Sequence, residues 1–397
     1  MIYAGIDIGK ARHCIAAISA TGAVRLKPVF IEQSPEGFEV LAARLRRLGD
    51  ALQVKIGMEA SGHYWTHLYH FLNEAGWTVE LFNPVLSSAQ GRCHLRGRKT
   101  DKDDALAIAK TLRDGGYTPW ALPPDEHGAL KLLCRQRTFV VAELSNAKRR
   151  LSALRDMAFP ELAGFFSDAH ARAPAALLRE APTAGEVAAL PVRRIAAVLS
   201  KNSAGRHGME TARKVRAAAA QSIAAGRHVG ELAGLIRGML DQLEFFDKQI
   251  ARLDARIREL FKSIDSPIKD IPGIGEKTAP MILAELGELS RFKGGYKKLL
   301  AYCGLDPRVR QSGQWKGTVK MSKRGSPALR TALFQAASMG RIHNRSLRSI
   351  YARHRHEKGK NHRVAVSHVA RKLVQLIWAT CRNNAPFDPE KICPSPS

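Results

Sequence analysis

Apolar and polar residues alternate with different periods along this chain, and the changes of period mark its parts. Ile2–Ile8, His13–Ser19 and Val24–Ile31 are short apolar runs with brief connections. Thr21-Gly22 supplies a hairpin turn, so the three runs predict antiparallel strands. Phe38, Leu41, Leu45 and Leu48 then recur at helical spacing, and Pro35 suits the first turn of a helix over 35–48. Val54–Met58 reads as a buried strand, Gly62–Ala75 as a second helix, and Thr78–Phe82 as a strand stopped by Asn83-Pro84. Ala105–Arg113 is a further helical run.

Pro119, Pro123 and Pro124 then break the pattern and predict a linker. Beyond them Leu130, Leu133, Val140, Leu144, Ala147, Leu151 and Leu154 fall on alternating three–four spacing, interrupted by Arg137. Ile236, Met239, Leu243, Phe246, Ile250, Leu253, Ile257 and Leu260 form a cleaner run of the same kind. Such heptads predict coiled coil, the two runs pairing with each other or with another chain. Residues 157–233 are rich in Ala and Arg with weak periodicity, and predict small helices, one over 208–225, with basic exposed faces. Ala328–Met339 and Val364–Thr380 predict helices, the latter with Trp378 on its apolar side, and the Pro-rich end predicts disorder. Three antiparallel strands followed by alternating helix and strand is the order of a ribonuclease-H-like fold. The chain therefore reads as α/β plus all-α: an α/β domain over 1–122, a helical, coiled-coil oligomerisation region over 123–265, and a helical C-terminal domain over 266–397.

Charge narrows the function. Among 397 residues, Lys and Arg number 63 against 36 acids, a formal charge of +27. That excess points to a polyanionic partner, nucleic acid before a membrane surface. No apolar run is long enough to span a bilayer, and the N-terminus lacks a signal-peptide pattern. Six scattered cysteines (Cys14, Cys93, Cys134, Cys303, Cys381, Cys393) without CxxC spacing argue against zinc and disulfides and fit a reducing cytoplasm.

Four acids carry the candidate chemistry. Lys99-Thr-Asp101-Lys-Asp-Asp104-Ala105 puts two carboxylates three residues apart, on one face of a helix start. Asp103 faces elsewhere and is left out. Asp7 ends the first strand run and Glu59 the fourth. Four such carboxylates converging would suit Mg²⁺, a hard, oxygen-seeking ion, and Mg²⁺ clamps the oxygens of a phosphodiester. The plainer alternative is that Asp101 caps the helix and Asp104 balances its dipole. Gly91–Lys99, basic and glycine-punctuated, reads equally as a phosphate-contacting or a solvated loop.

In the last third, Ile271-Pro-Gly273-Ile-Gly275 before Lys277–Glu285 is the pattern of a helix-hairpin-helix module, whose glycines let backbone N–H groups approach a phosphate. From Arg291 to Arg330, eleven cations, among them Arg308, Arg310, Lys316, Lys320, Lys323 and Arg324, face the single acid Asp306, a density that matches a phosphodiester backbone. Ser312, beside Gly313 and flanked by cations, has a hydroxyl that could attack phosphorus, and on chemistry Ser322 and Ser326 are equally eligible. Five histidines between His343 and His368 match no zinc spacing and read as a basic nucleic-acid tail.

Together, Gly-Ile-Asp7-Ile-Gly-Lys, Glu59-Ala-Ser-Gly-His-Tyr, Asn83-Pro84 and Lys99-Thr-Asp101-Lys-Asp-Asp104-Ala resemble the RuvC-like N-terminal domain of the IS-one-ten family of insertion-sequence transposases. Ile271-Pro-Gly-Ile-Gly, Gly304-Leu-Asp-Pro-Arg, Ser312-Gly and Met321-Ser-Lys-Arg-Gly325 resemble that family's C-terminal transposase domain. The resemblance implies a recombinase in which Asp7, Glu59, Asp101 and Asp104 bind Mg²⁺ and Ser312, in preference to Ser322 or Ser326, joins covalently to a DNA 5′ phosphate. It further implies double-stranded donor and target DNA, a structured guide (bridge) RNA, a homo-oligomer that is a tetramer built from dimers, no membrane, and a prokaryotic, nucleoid-associated cytoplasmic setting. Two other readings stay open on the residues alone. One is a Mg²⁺-dependent, structure-selective endonuclease that uses water. The other is a non-catalytic nucleic-acid-binding protein, against which the four acids argue.

Overall fold

The computed structural model describes residues 1–59, 62–82, 100–115, 125–224, 226–289, 292, 295–308, 311–312, 315–316, 320–382 and 384–387, with only the backbone of 125, 311, 312, 315 and 316. Two compact units are present, Met1–Leu122 and Pro123–Ser397.

The first unit runs β1 (Ile2–Asp7), β2 (Arg12–Ser19), β3 (Val24–Glu32), α1 (Pro35–Leu48), β4 (Val54–Glu59), α2 (Trp65–Glu74), β5 (Val79–Phe82) and α3 (Asp101–Asp114). Its sheet has the order β3-β2-β1-β4-β5. β1 and β3 pair antiparallel with β2, whereas β1–β4 and β4–β5 are parallel. This is the expected ribonuclease-H-like order. Alternation along β2 divides the core: Ile15 and Ala17 pack with Phe38, Leu41, Leu45, Leu68 and Leu72 of α1 and α2, while Cys14 and Ala16 pack with Ala105 of α3. Ser34 opens α1 by accepting from the Gly37 N–H at 3.1 Å. The second helix starts later than its periodicity predicts, because Gly62 takes a positive φ of 62° and its carbonyl accepts from the Trp65 indole.

The helix α3 lies directly on β1. A Cβ at Gly5 would stand 2.2 Å from the Ala105 carbonyl oxygen and 2.4 Å from the Ala109 nitrogen. Only glycine permits that approach, and it brings the start of α3 down beside the strand ends.

In the second unit the two heptad runs form α4 (Asp125–Ala158) and, after four intervening short helices, the second of two 34-residue helices (Val229–Lys262). They pair within one chain and run antiparallel: Arg137 bridges to Asp254, Leu130 and Cys134 share a core with Ile257, and Ala147 and Leu151 share one with Ile236 and Leu243. Residues 157–233 contain a 3₁₀ turn at Pro160–Phe165 and α5 (Arg172–Glu180), α6 (Ala184–Ala189), α7 (Val192–Lys201) and α8 (Met209–Ala220). Val229–Lys262 is then α9. The short helices pack Leu177, Val187, Ile195, Leu199 and Val215 against Ile236 and Leu240 of α9. Each is too short for a long periodic stripe, which explains the weak pattern in the sequence.

A second core lies at the other end of the pair. It draws on α10 (Thr278–Leu286), α11 (Tyr296–Tyr302), α12 (Pro327–His343), α13 (Arg345–Ala352) and α14 (His362–Arg382), and the two-residue strands β6 (Pro307–Arg308), β7 (Gln311–Ser312), β8 (Trp315–Lys316) and β9 (Lys320–Met321) run between α11 and α12. The run expected as a basic tail is anchored at its ends, with residues 355–363 exposed. Val366, Val369, Leu373 and Ile377 draw α14 into the core, and His354, on a π-helical turn after α13, stacks on His368 with ring centroids 3.6 Å apart. Burial pushes the His368 imidazole down to about 4, with the neighbouring His354 and cations adding to the effect. Asn83-Pro84, the prolines of the linker and the Pro-rich end lie outside the described residues. Among the described residues no helix is long and apolar enough to cross a membrane.

Candidate active site

The acids of the first unit are placed by strand register. β1 and β4 are parallel, with Ile6 opposite Met58, so Asp7 and Glu59 follow at the same level at the ends of neighbouring strands. Across the antiparallel pair, Asp7 stands opposite Cys14. The helix cap decides the roles in the third motif. Thr100, not Asp101, is the N-cap: its hydroxyl accepts from the Asp103 N–H at 3.3 Å and donates to the Asp103 carboxylate at 2.7 Å. Asp103 is thereby held in the cap, while Asp101 and Asp104 follow one another on another face of the first turn.

Cys14 feels the charge of two of these acids. Burial first, then the charges of Asp7 and Asp101, push this thiol up to about 11. One carboxylate from a strand end and one from the helix start therefore act on the same sulfur atom. Cys14 itself was only a scattered cysteine in the sequence, and its place opposite Asp7 depends on the length of the β1–β2 hairpin. Among the described residues no three of His, Cys, Asp and Glu gather closely enough to enclose a metal ion. An all-carboxylate set of this open kind suits Mg²⁺, which is bound by one or two carboxylates together with substrate phosphate oxygens, rather than an ion that needs a full protein cage.

In the second unit, the two motifs on either side of Ser312 pack on each other. Gly304, at φ 66°, leaves no room for a Cβ, which would stand 2.6 Å from the Gly325 nitrogen. A Cβ on Gly325 would stand 1.9 Å from the Tyr302 carbonyl oxygen. The Ser322 hydroxyl donates to the Asp306 carboxylate, and the Ser322 N–H donates to the Asp306 carbonyl at 2.9 Å. β6 pairs with β9, matching Arg308 with Lys320. These contacts form the base of a short excursion of the chain. On it, β7 pairs with β8 and puts Ser312 opposite Trp315. The side chains of Ser312 and Lys316, and all of Arg310, lie outside the described residues. Arg308, Lys320, Lys323 and Arg324 are exposed, and Lys323 holds an uncommon positive φ of 55°.

The other two serines have structural roles. Ser322 is committed to Asp306, and Ser326 caps α12 by accepting from the Leu329 N–H at 3.3 Å. The glycines of the Pro-Gly-Ile-Gly motif also differ from expectation. Gly273, at φ 99°, packs on α12, where its Cβ would stand 2.3 Å from the Gly340 Cα, and the Gly275 N–H is already donated to the Thr278 hydroxyl at 3.0 Å. Close helix packing thus explains Gly273 without a phosphate, while Lys277 stays exposed. The loop Gly91–Lys99 lies outside the described residues. One buried carboxylate carried no sequence signal: Glu285 of α10 accepts two hydrogen bonds, 2.6 and 3.1 Å, from Arg135 of α4 across 150 positions.

Comparison with known proteins matches two parts of the chain, the first of which runs past the boundary between the two units. Residues 4–160 match the DEDD transposase family of IS110 type, and residues 265–352 match the transposase family IS116/IS110/IS902. The pilin gene-inverting protein of Moraxella bovis is 31% identical over 334 residues, covering 83% of this chain and 81% of its own length. The insertion element IS116 uncharacterized 44.8 kDa protein of Streptomyces clavuligerus is 26% identical over 391 residues, covering 98% of this chain and 96% of its own. The structure of Thermus thermophilus RuvC aligns with 30% of this chain at 20% identity and a TM-score of 0.23, too low to carry an argument, so the fold assignment rests on the strand order. The chain is a DNA transposase/recombinase. It belongs to the IS116/IS110/IS902 family of insertion-sequence transposases.

Proposed function

We propose that this transposase cuts and rejoins DNA through a 5′-phosphoserine link at Ser312, with Mg²⁺ held by Asp7, Glu59, Asp101 and Asp104. Bound Mg²⁺ supplies Lewis-acid polarisation of the scissile phosphate. The Ser312 hydroxyl attacks phosphorus and gives its proton to solvent. The bond from phosphorus to the 3′ oxygen breaks, and that oxygen leaves as a 3′ hydroxyl. Attack of another 3′ hydroxyl on the phosphoserine reverses the step on a new strand, so no ATP is needed. Arg308, Arg310, Lys316, Lys320, Lys323 and Arg324 offset the charge that develops on the phosphate. The exposed Lys277 holds the DNA backbone nearby.

The observation that carries this reading is the seating of α3 on Gly5 of β1, which sets the helix that opens with Asp101 and Asp104 against the strand that ends in Asp7. The engagement of Ser322 and Ser326 supports Ser312 among the three candidate hydroxyls. A structured guide RNA and a tetramer built from dimers belong to the same reading. The charge of +27 supports the first. Leu132, Phe139 and Phe245, exposed on the helix pair at 73%, 60% and 56%, support the second.

A nicked suicide DNA substrate tests the proposal. Wild-type protein is expected to leave a covalent protein–DNA adduct on a denaturing gel, and Ser312→Ala none. Cleavage that persists in Ser312→Ala without an adduct would replace the serine with water and make the protein a Mg²⁺-dependent endonuclease.

A further inference from the structure

A cavity of about 760 Å³ opens in the second unit where α4 and α9 meet α10 and α12. Its volume lies in the range of small-ligand pockets. Ile257, Phe261 and Met281 give it an apolar floor, and Thr331 and Gln335 of α12 give it polar groups. Arg258 and Lys262 of α9, Lys269 of the 3₁₀ turn Pro267–Asp270 and Lys277, the cap residue of α10, line it and are all exposed. Among the described residues no ion pair engages any of these four, whereas the lining Asp254 is bound to Arg137, leaving Glu276 as the other acid.

We propose that this cavity takes one unpaired nucleotide of a DNA strand, the base on the apolar floor and its flanking phosphates on the four cations. A paired base remains inside its stack and cannot enter a pocket, whereas an unpaired one can be turned out and stacked on an aromatic ring such as Phe261. Charge complementarity selects a nucleotide over an apolar peptide, because a peptide would leave the four cations unmatched. The assignment rests on the reading that this chain opens and rejoins DNA strands. No residue proposed for the chemistry at Ser312 is needed for it, apart from the shared Lys277.

The full-length protein is titrated, by fluorescence anisotropy, with a fully paired duplex and with the same duplex carrying a short unpaired stretch that contains 2-aminopurine. The unpaired DNA is expected to bind tighter by at least about fivefold, the low end for one base-stacking contact, and the 2-aminopurine emission to change on binding. Thr331→Trp fills the mouth from an exposed helix position and should abolish both differences while leaving duplex affinity unchanged. Phe261→Ala should reduce the emission change without blocking the mouth. Equal affinity for the two DNAs, or a preference that survives Thr331→Trp, overturns the pocket while the recombinase reading stands. Failure to bind either DNA overturns both. Tighter binding of the same stretch made of ribonucleotides overturns the assignment to DNA.

Discussion

The two units hold the residues proposed for the chemistry in different ways. In the first, Asp7 and Glu59 end strands in register, and Asp101 and Asp104 begin a helix seated on Gly5 of the central strand. Regular elements with both faces of the sheet covered fix these acids. In the second, Ser312 lies on a two-residue strand of a short excursion whose base is held by Gly304, Gly325, Asp306 and Ser322. Acids that share a metal ion gain from rigidity, since small displacements weaken such sites. In the proposed reaction, a nucleophile that hands one strand to another gains from a carrier fixed at its foot.

The comparison can be broken from either side. The largest effect is expected at the acids: Asp7→Ala or Asp101→Ala should lower DNA cleavage by roughly a hundred- to a thousandfold, with little change in melting temperature. A variant that cleaves at the wild-type rate removes that residue from the site. Next comes the buried carboxylate of the second unit. Glu285 has a fully buried side chain, and Glu285→Ala should destabilise that unit by about 3 kcal/mol, the lower end for a broken buried pair because Arg135 is half exposed. Chemical denaturation of the full chain measures this, and a loss below about 1 kcal/mol would show that the pair behaves as a surface bridge.

The pH dependence of the same group has a definite sign. Burial raises its pKa, but the Arg135 hydrogen bonds and the Lys131 charge outweigh it and leave it below the usual carboxylate value. The bridge is therefore fully present above the unfolded carboxylate range and is lost as pH falls through the lower folded value. Acid denaturation should thus come at higher pH when Arg135 is replaced by Ala.

Smaller effects should separate the two designs. Gly5→Ala forces α3 off β1, at a cost of about 1–3 kcal/mol for overpacking, and should reduce cleavage together with stability. Asp306→Asn weakens the foot of the Ser312 excursion and should slow adduct formation while the melting temperature moves little. If Asp306→Asn unfolded the second unit instead, the excursion would be part of its core. The smallest change is expected from Thr100→Ala, which removes the α3 cap at a cost of about 1 kcal/mol.

The sequence reveals the first unit almost completely, because its strands and helices have clean periods and its acids stand at their ends. The pairing of the heptad helices with each other was left open, since a 3.5-residue repeat does not name its partner. Arg137 with Asp254 settles it for this chain. Residues 157–233 were legible only as small helices, because short Ala-rich elements bury narrow stripes. The histidine run was read as a basic tail because its cations dominate the composition; residues 355–363 are exposed, but His354 and His368 at its ends stack on each other, which spacing alone does not show. Gly273 was read as a phosphate contact because spacing cannot tell close approach to a ligand from close approach to Gly340. Cys14 was missed since only strand register puts it opposite Asp7.

The claim on which the rest depends is that Asp7 and Asp101 share a divalent cation. Electron paramagnetic resonance of Mn²⁺ added to the DNA-free protein measures it directly. Bound Mn²⁺ should be lost or strongly weakened in Asp7→Asn and in Asp101→Asn and retained in Asp103→Asn, whose carboxylate serves the helix cap. Equal Mn²⁺ binding by all three variants and the wild type would contradict the account.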